Sequence, residues 1–214
     1  MPLACDSVID TLSLFSDQQF RDLELAPGGK VRYWPAWLET SVASTLYADL
    51  LDGLQWRQLP VRMFGRWVEQ PRLVDFHADP DVSYTYTGLR LQGRGWPAQL
   101  ESLRGRLETA LGVAFNSVLC NLYRDGRDYM GWHADNEAEL GPDPTIASIS
   151  LGAQRRFLLR PRRPPREPRH EFRLDSGSLL VMSGDLQHHW QHQLPKALRI
   201  AEPRINLTFR KIVS

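Results

Sequence analysis

The chain has 214 residues, of which 42% are hydrophobic and 24% are charged, and its formal net charge is only +1. These values are ordinary for a globular protein of one domain with a sizeable core. The sequence excludes a membrane-spanning helix, because no run of about 18 apolar residues occurs. The small net charge does not by itself indicate a nucleic-acid partner.

The N-terminal segment and the cysteines bear on the compartment. The first ten residues, MPLACDSVID, have neither a basic region nor an apolar region, so we expect no secretory signal. Cys5 and Cys120 form neither a disulfide framework nor a zinc-binding spacing, which favours a reducing, cytoplasmic setting. Residues 1–30 end in a loop-like Ala-Pro-Gly-Gly sequence and are predicted to form a poorly packed arm.

The next part of the chain is predicted to combine two helices with short strands. The first helix should cover residues 35 to about 51, with a proline in its first turn and apolar residues near helical spacing. The second should cover about 97–111 and stop at Gly112. Between them, residues 59–67 and 82–91 have the composition of short strands.

After residue 112 the periodicity changes to that of short strands separated by turns. The predicted strands are Phe115–Tyr123, Ile146–Leu151, Arg156–Arg160, Glu171–Leu174, Ser178–Ser183, His188–Gln193 and Arg204–Lys211. Seven strands after two helices predict an α+β protein that is mainly β, with a jelly-roll core (a double-stranded β-helix) buttressed by N-terminal helices. We therefore expect an arm (1–30), a region of helices and hairpins (31–112) and a jelly-roll core (113–214).

One histidine and one aspartate have the spacing of metal ligands. His133 and Asp135 are two residues apart, so an extended segment places both side chains on one face. A third ligand can come from His188, His189 or His192, of which the first and last share strand parity. Two histidines and one carboxylate hold non-haem Fe(II) and leave positions open for an oxo acid and dioxygen. A lone His-x-Asp is weak evidence, because most such tripeptides lie on surfaces.

The C-terminal strand carries an unusual polar face. Strand alternation puts Arg204, Asn206, Thr208 and Arg210 on the same side. Two arginines, an amide and a hydroxyl are unfavourable to bury without partners. A dicarboxylate offers such partners, since guanidinium groups bind carboxylates in a bidentate manner. The alternative is an amphipathic strand whose polar face is solvated.

Together these motifs resemble the AlkB family of nucleic-acid dealkylating dioxygenases. The resemblance is carried by His133-Ala134-Asp135, by WQHQLP around His192, by RINLTFR at 204–210, by Asn121-Leu122-Tyr123 and by IASISLG at 146–152. The RINLTFR motif is far more specific than His-x-Asp. The resemblance covers residues from about 59 to 212 and is greatest to the branch that repairs double-stranded DNA.

The resemblance implies an oxidative DNA demethylase that uses Fe(II), 2-oxoglutarate and O2 and releases aldehyde, succinate and CO2. It implies that His133, Asp135 and His192 ligate the iron. The implied 2-oxoglutarate contacts are Asn121, Tyr123, Arg204, Asn206, Thr208 and Arg210. The hard chemistry belongs to the cofactors, and the protein holds the alkyl carbon beside the metal.

The resemblance also implies a region that handles a base taken out of the stack. Met63, Phe64 and Gly65 resemble the hairpin that fills the gap left by the base, as apolar wedges do. Tyr84 and Tyr86 resemble the segment that stacks on the flipped base and hydrogen-bonds to it. The alternative for the hairpin is that its aromatic residues, Phe64 and Trp67, belong to the core.

Two further residues near the ligand motif bear on base selectivity. Glu137 would accept a hydrogen bond from the exocyclic amine of adenine or cytosine, and His133 would cover the other side of the base. Asn136 stands where the family often has another acid, which leaves the fine selectivity open.

The sequence leaves the partner partly open. We expect alkylated DNA, with RNA remaining open, no membrane, and a monomer. One alternative is an oxygenase of the same fold that acts on RNA or another substrate, because fold does not fix substrate. The other is a non-catalytic module that binds damaged DNA, although the complete set of ligands and both terminal arginines argue against it.

Overall fold

The computed structural model describes residues 20–63, 66–86, 88–164 and 169–213, apart from the side chains of residues 61–63 and 86. The helices are α1 (Thr40–Gly53), α2 (Ala98–Leu111) and α3 (Leu186–His189), with a 3-10 turn at Ala138–Leu140. The strands are β1 (Arg21–Leu25), β2 (Gly29–Trp34), β3 (Pro60–Met63), β4 (Arg66–Glu69), β5 (Leu73–Ala78), β6 (Ser83–Tyr86), β7 (Leu89–Gln92), β8 (Ser117–Tyr123), β9 (Met130–His133), β10 (Ile146–Gly152), β11 (Arg155–Pro161), β12 (His170–Leu174), β13 (Leu179–Gly184), β14 (Trp190–Leu194) and β15 (Arg204–Arg210).

Two antiparallel sheets form the body of the protein. The major sheet has seven strands in the order β1-β2-β13-β10-β15-β8-β5, and the minor sheet has four in the order β12-β11-β14-β9. Apolar side chains from both sheets meet in one cluster between them, including Ile146 and Met182 from the major sheet and Phe157 and Phe172 from the minor one. The separate hairpins β3–β4 and β6–β7 complete the strand content described. This architecture confirms the predicted mainly β, jelly-roll fold.

Strand alternation divides the major sheet into a helix-facing side and a site-facing side. On β15, Ile205, Leu207 and Phe209 join the cluster that α1 and α2 cover, where Leu103 and Leu107 are nearly inaccessible. Burying one such side chain is worth about 1.5–3 kcal/mol. The intervening polar residues of β15 therefore point toward the minor sheet, as period-2 alternation requires.

The two long helices differ in how well the sequence located them. The structure places α2 within one residue of its predicted start and ends it at Gly112, whose φ of 68° fits a left-handed cap. By contrast, α1 begins at Thr40, later than predicted. Trp37 and Leu38, which sequence analysis includes in this helix, are buried but lie in the turn before it. There the Leu38 N–H donates to the Gly177 carbonyl at 2.9 Å. Within the described residues, no helix has the length and apolar character needed to cross a bilayer.

The prediction of a poorly packed arm over residues 1–30 is wrong for its last ten residues. Strands β1 and β2 form an antiparallel hairpin, and β2 continues the major sheet by pairing with β13. The Pro-Gly-Gly sequence is the turn of this hairpin, and alternate residues of β2, such as Val31 and Tyr33, are buried. Residues 1–19 lie outside the described part of the chain.

Three other strand predictions need correction. The segments 59–67 and 82–91 are each involved in a two-stranded hairpin, β3–β4 and β6–β7. The strand predicted at residues 188–193 begins only at Trp190, because the two preceding histidines belong to α3. Strand β5, which sequence analysis missed, forms one edge of the major sheet and pairs with β8.

A buried arginine at the start of β11 joins two loops. Arg155 is 2% exposed, and its guanidinium donates to the carbonyls of Asp125 (3.2 Å), Asp128 (2.8 Å) and Pro195 (2.8 Å). The segment after β8 is thereby fixed to the segment after β14. Since neither segment is a strand at these points, the guanidinium supplies donors that a sheet would otherwise supply.

We expect Arg155→Met to lower the free energy of unfolding by roughly 3 kcal/mol, because it leaves three largely buried carbonyls without their donor. Urea denaturation measures the change. The matched control is Arg156→Met, which removes the next residue of β11, an exposed arginine paired with Glu171 of β12; it should change stability by less than about 1 kcal/mol. Equal losses in the two variants would contradict this account of Arg155.

Candidate active site

Three side chains with metal-binding atoms meet in the space between the sheets. The ligand atoms of His133, Asp135 and His192 all lie within 4.8 Å of one another. Nε2 of His133 is 3.5 Å from Oδ1 of Asp135, and Nε2 of His192 is 3.9 Å from the same oxygen. Among the described residues, this is the one group of three or more His, Cys, Asp or Glu side chains that meets this criterion.

Neighbouring strands of the minor sheet bring the three residues together. His133 is the last residue of β9, and it lies directly opposite His192 on β14. The register between the two strands shifts between His192 and Leu194, and such irregularities often redirect side chains at active sites. Asp135 follows two residues after β9, so the His-x-Asp spacing does place both side chains in the same cavity.

The structure separates the three histidines that could supply the third ligand. His188 and His189 lie in α3 and are exposed, and His189 lies 4.0 Å from Asp185. Strand parity does not apply to His188, because β14 begins only at Trp190. His192 is 4% exposed and lies beside Asp135.

The chemistry of this donor set fits Fe(II). Burial lowers the pKa of His133, and burial followed by the neighbouring His133 lowers the pKa of His192 to about 3, so both rings are neutral near pH 7. The Gly131 carbonyl lies 2.8 Å from Nδ1 of His133 and holds the proton there, leaving Nε2 as the donor atom. Burial opposes ionisation of Asp135, but Arg210 and the two histidines lower its pKa overall. Two neutral imidazoles and a carboxylate form the facial triad of non-haem iron sites.

One of the two terminal arginines has donors available in the cavity. Arg204 is 2% exposed, and its Nη2 donates to Oγ of Ser150 at 2.9 Å. Its Nε and Nη1 are buried and have no hydrogen-bond partner within the described structure. Burial lowers the pKa of Arg204 to about 10, so the side chain stays charged near pH 7. A buried cation with unused donors fits the carboxylate of a 2-oxoglutarate molecule.

The other terminal arginine is engaged with the triad. Arg210 donates from Nη2 to Oδ2 of Asp135 at 2.6 Å and from Nε to the same oxygen at 3.2 Å. Burial opposes its charge, but the Asp135 carboxylate raises its pKa overall. The sequence could not divide the roles of the two arginines; in this structure Arg210 pairs with the Asp135 carboxylate, whereas two buried donors of Arg204 have no partner among the described residues.

The remaining predicted 2-oxoglutarate residues line the same cavity. Asn206 donates to Oγ of Ser148 at 2.7 Å, and Oγ1 of Thr208 donates to Oδ1 of Asn206 at 3.1 Å. Two guanidiniums lie near the ring of Tyr123, with Cζ of Arg204 at 5.3 Å and Cζ of Arg155 at 5.8 Å from its centroid. These contacts fix the polar residues in place before any ligand binds.

Sequence analysis missed one charged residue of the cavity. Arg72 is 3% exposed, and its Nε donates to Oδ1 of Asn121 at 2.8 Å. It comes immediately before β5, a strand whose buried Asp75 and His77 hide the apolar alternation. The cavity has a volume of about 160 Å³. Every predicted metal and 2-oxoglutarate residue lines it: His133, Asp135, His192, Asn121, Tyr123, Arg204, Asn206, Thr208 and Arg210.

The predicted base-handling residues are only partly described by the structure. Phe64 and Gly65 lie outside the described residues, as do the side chains of Met63 and Tyr86, so their roles stay predictions. The described part does show that Trp67 on β4 is 57% exposed. The alternative that assigned Trp67 to the core is therefore wrong.

Tyr84 occupies a different environment from the one predicted. It is 2% exposed, packs against Phe76 with ring centroids 6.1 Å apart, and hydrogen-bonds to Glu137. It therefore offers no open face to a base in this structure and instead fixes Glu137. Burial, followed by the Asp135 charge, raises the pKa of Glu137, and its Oε2 is buried without a hydrogen-bond partner among the described residues. That oxygen belongs to a side chain lining the cavity, where an amine could donate to it.

Comparison with known proteins agrees with this geometry. A sequence model of the 2OG-Fe(II) oxygenase superfamily matches residues 30–210. The human alpha-ketoglutarate-dependent dioxygenase alkB homolog 3 is 36% identical over 201 residues, covering 89% of this chain and 70% of that protein. The mouse DNA oxidative demethylase ALKBH2 is 42% identical over 159 residues, covering 72% of this chain and 66% of that protein. The solved structure of OsALKBH1 has the same fold, with a TM-score of 0.55 at 13% identity over 89% of this chain and 100% of that one.

Proposed function

Since the chain belongs to the AlkB family of 2OG-Fe(II) oxygenases, it is a dealkylating dioxygenase, and we propose that it removes N-alkyl groups from DNA bases such as 1-methyladenine and 3-methylcytosine. Its cofactors are Fe(II), 2-oxoglutarate and O2. The observation that carries the proposal is the single cavity in which the triad, the unused donors of Arg204 and the free oxygen of Glu137 converge.

Each part of the cavity has a chemical task in this proposal. His133, Asp135 and His192 would hold the iron, and Arg204 would bind a carboxylate of 2-oxoglutarate. When bound, the iron with 2-oxoglutarate and O2 supplies the oxidant, yielding succinate, CO2 and a hydroxylated N-alkyl carbon that leaves as aldehyde. The buried, preformed polar surroundings place the reacting carbon and limit access of water.

Support for DNA as the substrate comes from the relatives and from the hairpins. The mouse relative is named as a DNA oxidative demethylase, and the human relative as a dioxygenase. The hairpins β3–β4 and β6–β7 form separate two-stranded sheets, and the first exposes the indole of Trp67. Aromatic faces stack on unpaired bases at about 1–3 kcal/mol per base.

Glu137 should matter for the base and not for the cofactor. We expect Glu137→Gln to lower kcat/KM for demethylation about 5- to 150-fold, because the loss of a carboxylate acceptor for a base amine is worth roughly 1–3 kcal/mol. Succinate formation without an oligonucleotide should stay unchanged. Glu139→Gln, two residues further on, is the control and should leave both rates unchanged. Equal loss of the two activities in Glu137→Gln would place Glu137 in the cofactor site instead.

The substrate class is tested by comparing matched substrates. The protein is given 1-methyladenine or 3-methylcytosine in duplex DNA, single-stranded DNA and single-stranded RNA of the same sequence, and kcat/KM is measured for each. The proposal requires a DNA form to be the best substrate. A higher kcat/KM for RNA would favour the alternative oxygenase, and binding without any succinate would favour the non-catalytic module.

We also propose that the protein acts as a monomer in the cytoplasm. Six large apolar side chains are exposed in the described residues, and only Trp67 and Val68 are neighbours in the chain: Phe20, Val42, Trp67, Val68, Leu198 and Val213. Isolated apolar residues of this kind are normal on a monomer. The buried thiol of Cys120 fits a reducing compartment. A sedimentation mass twice that of the chain would contradict the monomer.

A further inference from the structure

A buried glutamine connects the segment that carries Asp135 with the segment that leads to His192. Gln187 belongs to α3, five residues before His192, and is 1% exposed. Burying an amide is unfavourable unless its polar atoms find partners. The partners of this side chain are therefore informative about its role.

The stronger of its two contacts is with a triad residue. Oε1 of Gln187 accepts a hydrogen bond from the main-chain N–H of Asp135 at 3.0 Å. Its Nε2 lies 3.7 Å from Sδ of Met182, and a thioether is only a weak acceptor. The main chain of Asp135 is thus the chief polar partner of this buried amide.

Asp135 needs such a contact because no strand holds it. Strand β9 ends at His133, and residues 134–137 are irregular. The carboxylate of Asp135 is oriented by Arg210, with the shorter contact at 2.6 Å. Its main chain is oriented by Gln187, so the residue is fixed at both ends.

The position of Gln187 in the chain makes it a link between the ligands. The helix α3 leads directly into β14, which carries His192. A hydrogen bond from this helix to Asp135 therefore connects the segment after β9 with the segment before the second histidine. Any shift of α3 would move the main chain of the carboxylate ligand.

We propose that Gln187 is a positioning residue of the metal centre, whose amide oxygen fixes the main chain of Asp135 relative to the strand that carries His192. This inference rests on the proposed role of the triad in holding iron. Residues that orient metal ligands through hydrogen bonds typically change metal affinity or activity 10- to 100-fold when replaced.

The test measures metal binding without turnover. Mn(II) is titrated calorimetrically into the full-length apoprotein and its variants, with no 2-oxoglutarate or nucleic acid present. Gln187→Met, which keeps the approximate volume but removes the acceptor, should weaken Mn(II) binding about 10- to 100-fold. Gln187→Glu keeps an acceptor oxygen at the same reach but buries a carboxyl group, so it should bind Mn(II) more tightly than Gln187→Met without needing to match the wild type. The control Gln193→Met, on β14 and half-exposed, should bind like the wild type.

Thermal unfolding of each apoprotein separates positioning from folding. If Gln187→Met does not fold, Gln187→Asn replaces it, because the shorter side chain withdraws the oxygen by one methylene and should show the same loss. A folded Gln187→Met or Gln187→Asn protein that binds Mn(II) as tightly as the wild type would overturn the inference. Wild-type protein that binds Mn(II) but dealkylates nothing would refute the proposed function alone, and wild-type protein that binds no Mn(II) would refute both.

Discussion

Replacing Asp135 by alanine is expected to abolish metal binding and to lower dealkylation at least about 1,000-fold, or about 4 kcal/mol of transition-state stabilisation. Asp135 is the carboxylate of the triad, and both histidines face its Oδ1. Without it, two neutral imidazoles remain, which offer fewer donor atoms and no negative charge to a divalent cation.

The same substitution should also destabilise the apoprotein. Arg210 is 7% exposed and its charge is offset by Asp135 at 2.6 Å. Removing one partner of a buried ion pair typically costs about 3–5 kcal/mol, because the other charge is left uncompensated. Urea denaturation measures this loss beside the metal titration. A control, Asp22→Ala, removes an exposed aspartate paired with an exposed arginine, Arg32, and should change stability by less than about 1 kcal/mol.

The contradicting result for Asp135 is specific. If folded Asp135→Ala protein bound Mn(II) with wild-type affinity, the triad would not be the metal site. Asp135→Asn provides a second variant that keeps the shape of the side chain. It should lose metal affinity as the alanine variant does.

Replacing Arg204 by methionine is expected to weaken 2-oxoglutarate binding at least about 30-fold. The Nε and Nη1 donors of Arg204 have no partner among the described residues, so a carboxylate that fills this space gains a charge-assisted contact. Truncating one partner of a buried charge pair costs about 2–5 kcal/mol. Arg204→Lys should restore only part of the affinity, because an ammonium lacks the planar fork of guanidinium.

Replacing Arg204 should not lower the free energy of unfolding, whereas replacing Asp135 should. Arg204 is a buried cation whose burial lowers its pKa to about 10, and unlike Arg210 it faces no carboxylate partner in the hydrogen bonds and ion pairs described. We therefore expect Arg204→Met to leave the free energy of unfolding unchanged or to raise it, as happens when function has been favoured over stability. Binding is measured anaerobically with Mn(II) present, and Arg199→Met, exposed in the preceding loop, is the control. Wild-type 2-oxoglutarate affinity in Arg204→Met would contradict the assignment.

The parts of the site that sequence could predict are those set by the spacing of residues along a single strand. On β15 the residues alternate strictly, so one pleat puts Ile205 and Leu207 under the helices and turns Arg204 and Asn206 into the cavity. His133 and Asp135 share a cavity because they are two residues apart at the end of a strand. In both cases the information lies within a few residues.

The parts that sequence missed depend on contacts between distant segments. Strand β5 carries Asp75 and His77, whose burial is tolerated because they bind each other at 3.0 Å. Arg72 enters the cavity beside Asn121, 49 residues further along the chain. Gln187 reaches Asp135 across a separation of 52 residues. No spacing rule connects such pairs.

The arm and the histidine cluster show a second kind of error. The Pro-Gly-Gly composition predicts a loop, but the structure has a tight turn between β1 and β2, where Gly28 has a φ of 69°. Strand parity groups His188 with His192, but His188 lies in α3. In each case local composition predicts the turn or the residue type and does not predict the element beside it.

One cavity should couple 2-oxoglutarate turnover to removal of a base alkyl group. To test this coupling, the protein is incubated with Fe(II), 2-oxoglutarate, O2 and an oligonucleotide containing 1-methyladenine, with His133→Ala as the control. We expect the wild type alone to remove one methyl mass from the oligonucleotide, with one succinate and one formaldehyde formed for each methyl lost. Succinate formed at the same rate with an unmethylated oligonucleotide, and no loss of mass from the methylated one, would contradict it.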